Sequence, residues 1–268
     1  MALPEPSPSS TALITGSSAG IGDAVARRLA GGGHGVTLVA RREDRLSALA
    51  DELAKEHGIR AEAIGADLGD AAARDRLAER IEELGLEVEI LLNNAGFGGS
   101  GAVAESDRVR LVQMVEVNAV ALLDFQARYL PAMVTRGRGA VINVASTAAF
   151  QPIPGTATYA ATKAFVLSLS EAVHEELRGT GVTLTAVCPG PVRTEFTKAA
   201  GLEQAESRVP GTFWLSADEV ARVAIEGAAK GKRVVVPGLI NRAGALTGQH
   251  APRMLALPIT KRVWRQAL

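Results

Sequence analysis

A short, β-branched apolar run, Thr11-Ala12-Leu13-Ile14-Thr15, leads through Gly16-Ser17-Ser18-Ala19-Gly20-Ile21-Gly22 into a helical stretch. Strand, glycine turn and helix in that order restrict the fold more than any other segment. The turn lets backbone N–H groups and a helix N-terminus face an anion, and a Cβ in it would block the tight path or hold the anion away. Glycine turns also occur as plain connections, so the rest of the chain has to agree. It does, by alternation. Strand-like runs fall at Ala12–Thr15, Gly35–Ala40, Arg60–Ala66, Val88–Asn93, Ala140–Ala145, Thr183–Cys188 and Arg233–Pro237. Helical stretches lie between them near Ile21–Ala30, Glu43–His57, Ala71–Leu84, Asp107–Arg136, Ala157–Arg178 and Ala217–Ala229. This pattern predicts an α/β fold, a Rossmann-type doubly wound parallel β-sheet with helices on both faces, in a single domain.

Composition agrees with one domain and narrows the partners. The 268 residues are 47% apolar but only 4% aromatic, so Ala, Val and Leu must fill most of the core. With 29 basic and 29 acidic residues the formal net charge is zero, which gives no reason to expect nucleic acid as a partner. Cys188 is the only cysteine and ends an apolar run, so it reads as a small buried filler, and a reducing cytoplasm suits the chain. Residues 1–9 read as a flexible segment, and Met1–Ser10 has neither the basic nor the apolar part of a signal peptide. His34, His57, His174 and His250 are scattered without ligand spacing, so no metal is expected.

The chemistry is carried by Tyr159 and Lys163, which a helix places on one face, one turn apart. A phenol has a pKa of about 10. An ammonium one turn away is expected to lower it, so the pair can move a proton to or from an alcohol oxygen. Ser146 closes the fifth strand-like run, at the end where open α/β sheets hold ligands. Asn118 sits inside a long helical stretch, where Asn is a mediocre helix former; an exposed polar position remains its alternative.

Taken in order, Thr15-Gly16 to Ile21-Gly22, Asp67-Leu68, Asn93-Asn94-Ala95-Gly96, Asn118, Ser146, Tyr159 with Lys163, and Pro189-Gly190 followed by Thr194 resemble the short-chain dehydrogenases/reductases in their shorter form. The resemblance runs from about Ser10 to Pro237. It implies hydride transfer between a nicotinamide and a carbonyl or secondary alcohol, with Tyr159 as general acid or base. Lys163 would act on Tyr159 and the nicotinamide ribose, Ser146 would hold the substrate oxygen, and Asn118 would keep a helix irregularity and a water of a proton relay. It also implies that Gly16, Ser17, Ser18, Gly20, Ile21 and Gly22 hold the pyrophosphate, that Asp67, Leu68, Asn94, Ala95 and Gly96 line the adenosine side, and that Pro189, Gly190, Val192 and Thr194 orient the nicotinamide. Asp67 also suits a cap of the following turn. The second strand ends in Arg41 and Arg42, where NAD-preferring relatives carry an acid; guanidinium groups suit a 2′-phosphate, so NADP(H) is favoured over NAD(H). Glu43 is the residue that would tie up one arginine.

Residues 10–238 then form the NADP-binding domain, with a lid near 193–214 and a tail over 239–268. Phe97, Phe150, Ile153, Phe196, Phe213 and Trp214 suit an apolar ketone or aldehyde, with packing into the lid's own small core as an equal alternative. A 3-oxoacyl thioester is a second substrate class, for which Arg193, Lys198 and Arg208 are the nearby cations. A non-catalytic NADP(H)-binding regulator is a reading of another class, which the presence of both Tyr159 and Lys163 disfavours. The resemblance implies a homodimer or homotetramer. For the basic tail, including Trp264 and Arg265, subunit packing ranks first and membrane contact last.

Overall fold

The computed structural model describes residues 3–196, 210–254, 257–258 and 260–262. The strands are β1 (Ser10–Thr15), β2 (Val36–Ala40), β3 (Ala61–Gly65), β4 (Glu87–Asn93), β5 (Gly139–Val144), β6 (Val182–Val187) and β7 (Val234–Val235). The helices are α1 (Gly20–Gly31), α2 (Glu43–His57), α3 (Ala71–Glu83), α4 (Arg108–Val115), α5 (Ala121–Arg136), α6 (Ala157–Glu176), α7 (Ala217–Ala229) and α8 (Leu239–His250). A π-helical turn, Glu116–Val120, joins α4 to α5. All strand pairs are parallel, in the order β3-β2-β1-β4-β5-β6-β7. The order reverses between β1 and β4, and the crevice beyond their carboxyl ends is the ligand position in such sheets.

Alternation along the strands divides the core between the two faces. Ala12 and Ile14 pack with Val25 and Leu29 of α1, Leu46 and Leu53 of α2, and Val220 and Ala224 of α7. Leu13, between them, faces the other way, toward Leu77 and Ile81 of α3 and Phe125 and Met133 of α5. Helix starts follow their sequence signals. Asp70 accepts from Ala72 N at 3.0 Å, Asp107 from Val109 N at 2.8 Å, and Ser216 from Glu219 N at 3.0 Å. Gly58 and Gly137, with φ of +65° and +69°, close α2 and α5 in the left-handed region. The buried Arg74 ties α3 to its surroundings by donating to Asp124 of α5 and to the Leu68 carbonyl.

The structure departs from the sequence expectations in three places. The single helix expected over Asp107–Arg136 is broken by the π turn. The last strand shrinks from Arg233–Pro237 to two residues, although the Arg233 and Val235 carbonyls still accept from Ala186 N and Cys188 N. The region expected as a tail begins with α8, which packs against the 3₁₀ turn Thr147–Phe150 and buries Asn241. Among the described residues no helix is long and apolar enough to cross a membrane.

Candidate active site

The glycine turn is shaped by close approach. Gly16 and Gly20 have φ of +68° and +65°. A Cβ on Gly16 would lie 2.9 Å from Ala95 Cα, and one on Gly20 would lie 3.0 Å from Thr194 Cγ2. A Cβ on Gly22 would collide with the Gly16 carbonyl oxygen and sit 2.7 Å from Asn94 Nδ2. The turn therefore packs directly on the end of β4. Ala19 precedes α1 and offers no side-chain cap, so the first helical N–H groups face the crevice without a side-chain acceptor. Together with the helix dipole, this arrangement could hold an anion such as the pyrophosphate of a dinucleotide. Ile21 packs partly against the core, Ser17 is buried with its hydroxyl toward the Val39 carbonyl, and Ser18 Oγ accepts from Arg42.

Threonine and asparagine pin the two strands at the switch point. Thr15 Oγ1 donates to the Leu92 carbonyl and accepts from Asn94 N and Ala95 N at 2.9 and 3.1 Å. Asn94 Nδ2 returns hydrogen bonds to the Thr15 and Gly16 carbonyls. On the β3 side, Asp67 Oδ1 accepts from Gly69 N at 3.0 Å, so Asp67 does cap a local turn, while Asp70 caps α3 itself. Leu68 is buried beside it. A cavity of about 240 Å³ is lined by Ile64, Asp67, Asp70 and Arg76; none of Asn118, Ser146, Tyr159 or Lys163 lines it.

Arg41 and Arg42 both lie exposed past β2. Arg42 donates through Nη2 to Ser18 Oγ at 2.9 Å and through Nη1 to Glu195 Oε2 at 2.8 Å. Arg45 takes the other Glu195 oxygen at 2.9 Å. The two guanidinium groups hold the Glu195 carboxyl down to about 2. Glu43, expected to occupy an arginine, instead lies over Gly65, where a Cβ would come 2.9 Å from Glu43 Oε2.

Ser146, Tyr159 and Lys163 meet at the carboxyl end of β5. Ser146 follows the strand and accepts from Ala148 N at 3.1 Å. Tyr159 lies in the first turn of α6, where a hydrogen bond with Ser146 pulls its phenol toward ionisation. Lys163, one turn on, is buried; its Nζ donates to the Val144 carbonyl at 2.8 Å and lies 5.8 Å from the Tyr159 ring centroid. The expected lowering of the phenol pKa is reversed. Burial pushes Tyr159 up to about 12, because the charged form loses more hydration than its neighbours return, and burial lowers Lys163 to about 8.

Asn118 is 1% exposed, so the exposed-position alternative is removed. The π turn rotates it inward. Its Oδ1 accepts from Phe97 N at 3.0 Å, and its Nδ2 donates to the Phe97 carbonyl at 2.9 Å and to Thr162 Oγ1 at 3.2 Å. Gly96 passes between Asn118 and Lys163; a Cβ there would sit 2.9 Å from Asn118 Oδ1 and 3.6 Å from Lys163 Nζ.

The Pro189–Thr194 segment crosses the remaining side. Val192 forms a parallel bridge with Leu215, reinforced by Arg193 N to the Leu215 carbonyl and Leu215 N to the Pro191 carbonyl, both 3.0 Å. Gly190 passes so near Asn241 that a Cβ would collide with its side chain, and Asn241 Nδ2 reaches the Phe213 carbonyl at 3.2 Å. Sequence reasoning missed Asn241; an amide among apolar residues near the start of α8 was the one available signal. Of the pocket candidates, the Phe196 ring lies 5.7 Å from that of Tyr159, Phe97 lies under the Arg110 guanidinium, and Trp214 lies under that of Arg193. Phe213 belongs to a 3₁₀ turn, Ile153 is partly buried, and Phe150 packs against the cluster of Ala145, Val166 and Cys188. Residues 197–209 of the expected lid, with Lys198 and Arg208, lie outside the described residues, as do Trp264 and Arg265.

Comparison with known proteins gives a consistent picture. The family model for short chain dehydrogenases matches residues 10–205. Sulfoacetaldehyde reductase 2 of Chromohalobacter salexigens is 36% identical over 216 residues, covering 79% of this chain and 85% of that protein. A short-chain dehydrogenase from Sphingobium yanoikuyae in complex with NADPH superposes with a TM-score of 0.79 at 36% identity, over 92% of this chain and 96% of the other. The bulky-bulky ketone specific alcohol dehydrogenase of Comamonas testosteroni gives a TM-score of 0.75 at 29% identity, over 98% and 96% of the two chains.

Proposed function

The chain belongs to the short-chain dehydrogenase family, and on that premise we propose that it is an NADP(H)-dependent oxidoreductase in which Tyr159 exchanges a proton with a carbonyl or secondary alcohol oxygen. The meeting of Ser146, Tyr159 and Lys163 at the end of β5 carries this reading. The nicotinamide, when bound, supplies or accepts the hydride. Gly16, Gly20 and Gly22 with the start of α1 hold the pyrophosphate; Asp67, Leu68, Asn94, Ala95 and Gly96 line the adenosine side; Pro189, Gly190, Val192 and Thr194 face the nicotinamide end. Tyr159 gives its proton to the substrate oxygen in reduction and takes it back in oxidation. Ser146 steadies that oxygen. Lys163 binds the ribose hydroxyls and, while charged, favours the phenolate. Asn118 keeps Phe97 and Thr162 in place beside Lys163 and supports the proton relay. Phe196 over Tyr159, with Phe97, favours an apolar substrate. The test is NADPH consumption over a panel of ketones, aldehydes and 3-oxoacyl thioesters. Absence of turnover there, and with NADP over a broad set of alcohols, would remove the reading.

Arg41 and Arg42, with no acid on β2, support NADP(H) over NAD(H). Each charge-assisted hydrogen bond contributes about 1.5–3 kcal/mol, so replacing both arginines by Ala should weaken NADPH binding roughly 100-fold and NADH binding far less. Equal losses for the two cofactors, measured as dissociation constants, would contradict this preference.

We further propose a homodimer or homotetramer paired through α4, α5 and α6. Val112, Val120, Leu123 and Phe165 are exposed along these helices and the π turn between them at 50%, 37%, 44% and 41%, apolar surface that water leaves costly. Leu123→Arg should shift the protein to monomers in sedimentation; a wild-type monomer would end the proposal. The buried single cysteine, Cys188, suits a reducing compartment such as the cytoplasm.

A further inference from the structure

The second strand brings no acid to Arg41 and Arg42, yet a carboxylate reaches Arg42 from 153 residues downstream. Glu195 follows Thr194 directly, so it stands where the nicotinamide-side segment ends. Its two oxygens span Arg42 and Arg45, while Arg42 also turns Nε and Nη2 onto Ser18 Oγ in the glycine turn. Held down to about 2, this carboxyl stays ionised at any working pH. A 2′-phosphate needs the same guanidinium edge. It carries like charge, prefers the same charge-assisted geometry, and cannot approach Arg42 beside a carboxylate without repulsion. A ribose 2′-hydroxyl is neutral and meets no such opposition.

We propose that Glu195 competes with the 2′-phosphate of the cofactor for Arg42, and so acts as a specificity-determining residue that tempers the preference for NADP(H) over NAD(H). The inference rests on the NADP(H) reading of Arg41 and Arg42. Arg42, Arg45 and Glu195 are 42%, 47% and 56% exposed in their side chains, so the competition is screened and its effect is a few-fold.

Glu195→Gln keeps the length and removes the charge. Dissociation constants for NADPH and NADH, from nicotinamide fluorescence at low ionic strength, give the readout. NADPH should tighten roughly three- to fivefold in the variant and NADH should move by less than about twofold, with the difference from wild type shrinking as salt is added. Unchanged or weakened NADPH binding in the variant overturns the inference. The two readings fail separately. If wild type holds NADH more tightly but the variant tightens NADPH alone, the preference is wrong and the competition stands. If wild type prefers NADPH and the variant alters neither cofactor, the preference stands and the competition is wrong.

Discussion

Tyr159→Phe should lower the rate of carbonyl reduction by about 10³-fold while leaving NADPH binding within about twofold of wild type. The ring remains to pack against Phe196, and only the hydroxyl, the proposed proton donor, is lost. The pH dependence follows from the direction of the shifts. Burial raises the phenol to about 12, so it is protonated through the neutral range and the reductive rate should be flat there. Oxidation needs the phenolate, whose population grows about tenfold per pH unit below the pKa, so that rate should climb with pH. Lys163, lowered to about 8, loses its charge in the same range and with it the pull on the phenolate, so the climb should bend over above that point. Stopped-flow and steady-state profiles in both directions check this. A Phe variant within tenfold of wild type would mean that another group moves the proton.

Gly22→Ala has two opposed effects, and their sizes decide the sign. Alanine gains about 0.8–1.0 kcal/mol over glycine in a helix interior. Here its methyl would have to occupy the place of the Gly16 carbonyl oxygen, next to Asn94 Nδ2 at 2.7 Å. Backbone on one side and, on the other, an amide nitrogen that donates two hydrogen bonds leave little room to yield, and overpacking typically costs about 1–3 kcal/mol. The clash should win. The variant should melt earlier and bind NADPH at least about tenfold more weakly, because any relief opens the turn that presents the N–H groups of α1. Gly31→Ala at the other end of α1 is the control: its added Cβ meets only His57 Cε1 at 3.8 Å, so it should be neutral or mildly stabilising. A Gly22→Ala protein as stable as wild type with unaltered NADPH affinity would contradict the packing described.

The fold class was legible because strand and helix periods differ and because the glycine turn has few uses at the end of a first strand. Family membership followed from short motifs in fixed order. What escaped the sequence depended on tertiary neighbours. The π turn at Asn118 inserts one residue into an otherwise continuous helical pattern, and a periodicity averaged over Asp107–Arg136 does not register it. The Tyr159 phenol shifts opposite to expectation because burial, which Tyr-Lys spacing on a helix does not report, outweighs the hydrogen bond with Ser146. Glu195 finds Arg42 and Arg45 across more than half the chain, so neighbouring Glu43 was the natural but mistaken competitor. Phe150, partly buried, packs against the cluster of Ala145, Val166 and Cys188, a contact that residue type alone does not reveal.

The bridge between Val192 and Leu215 also bears on tolerance to changes of loop length. It staples the two ends of the intervening stretch beside the sheet, so the scaffold does not depend on how many residues run between them. Doubling the length of such an excursion costs only about 0.6 kcal/mol in closure entropy. Insertions or deletions between the two ends of the staple should therefore be absorbed there, with the strands and the glycine turn left in place.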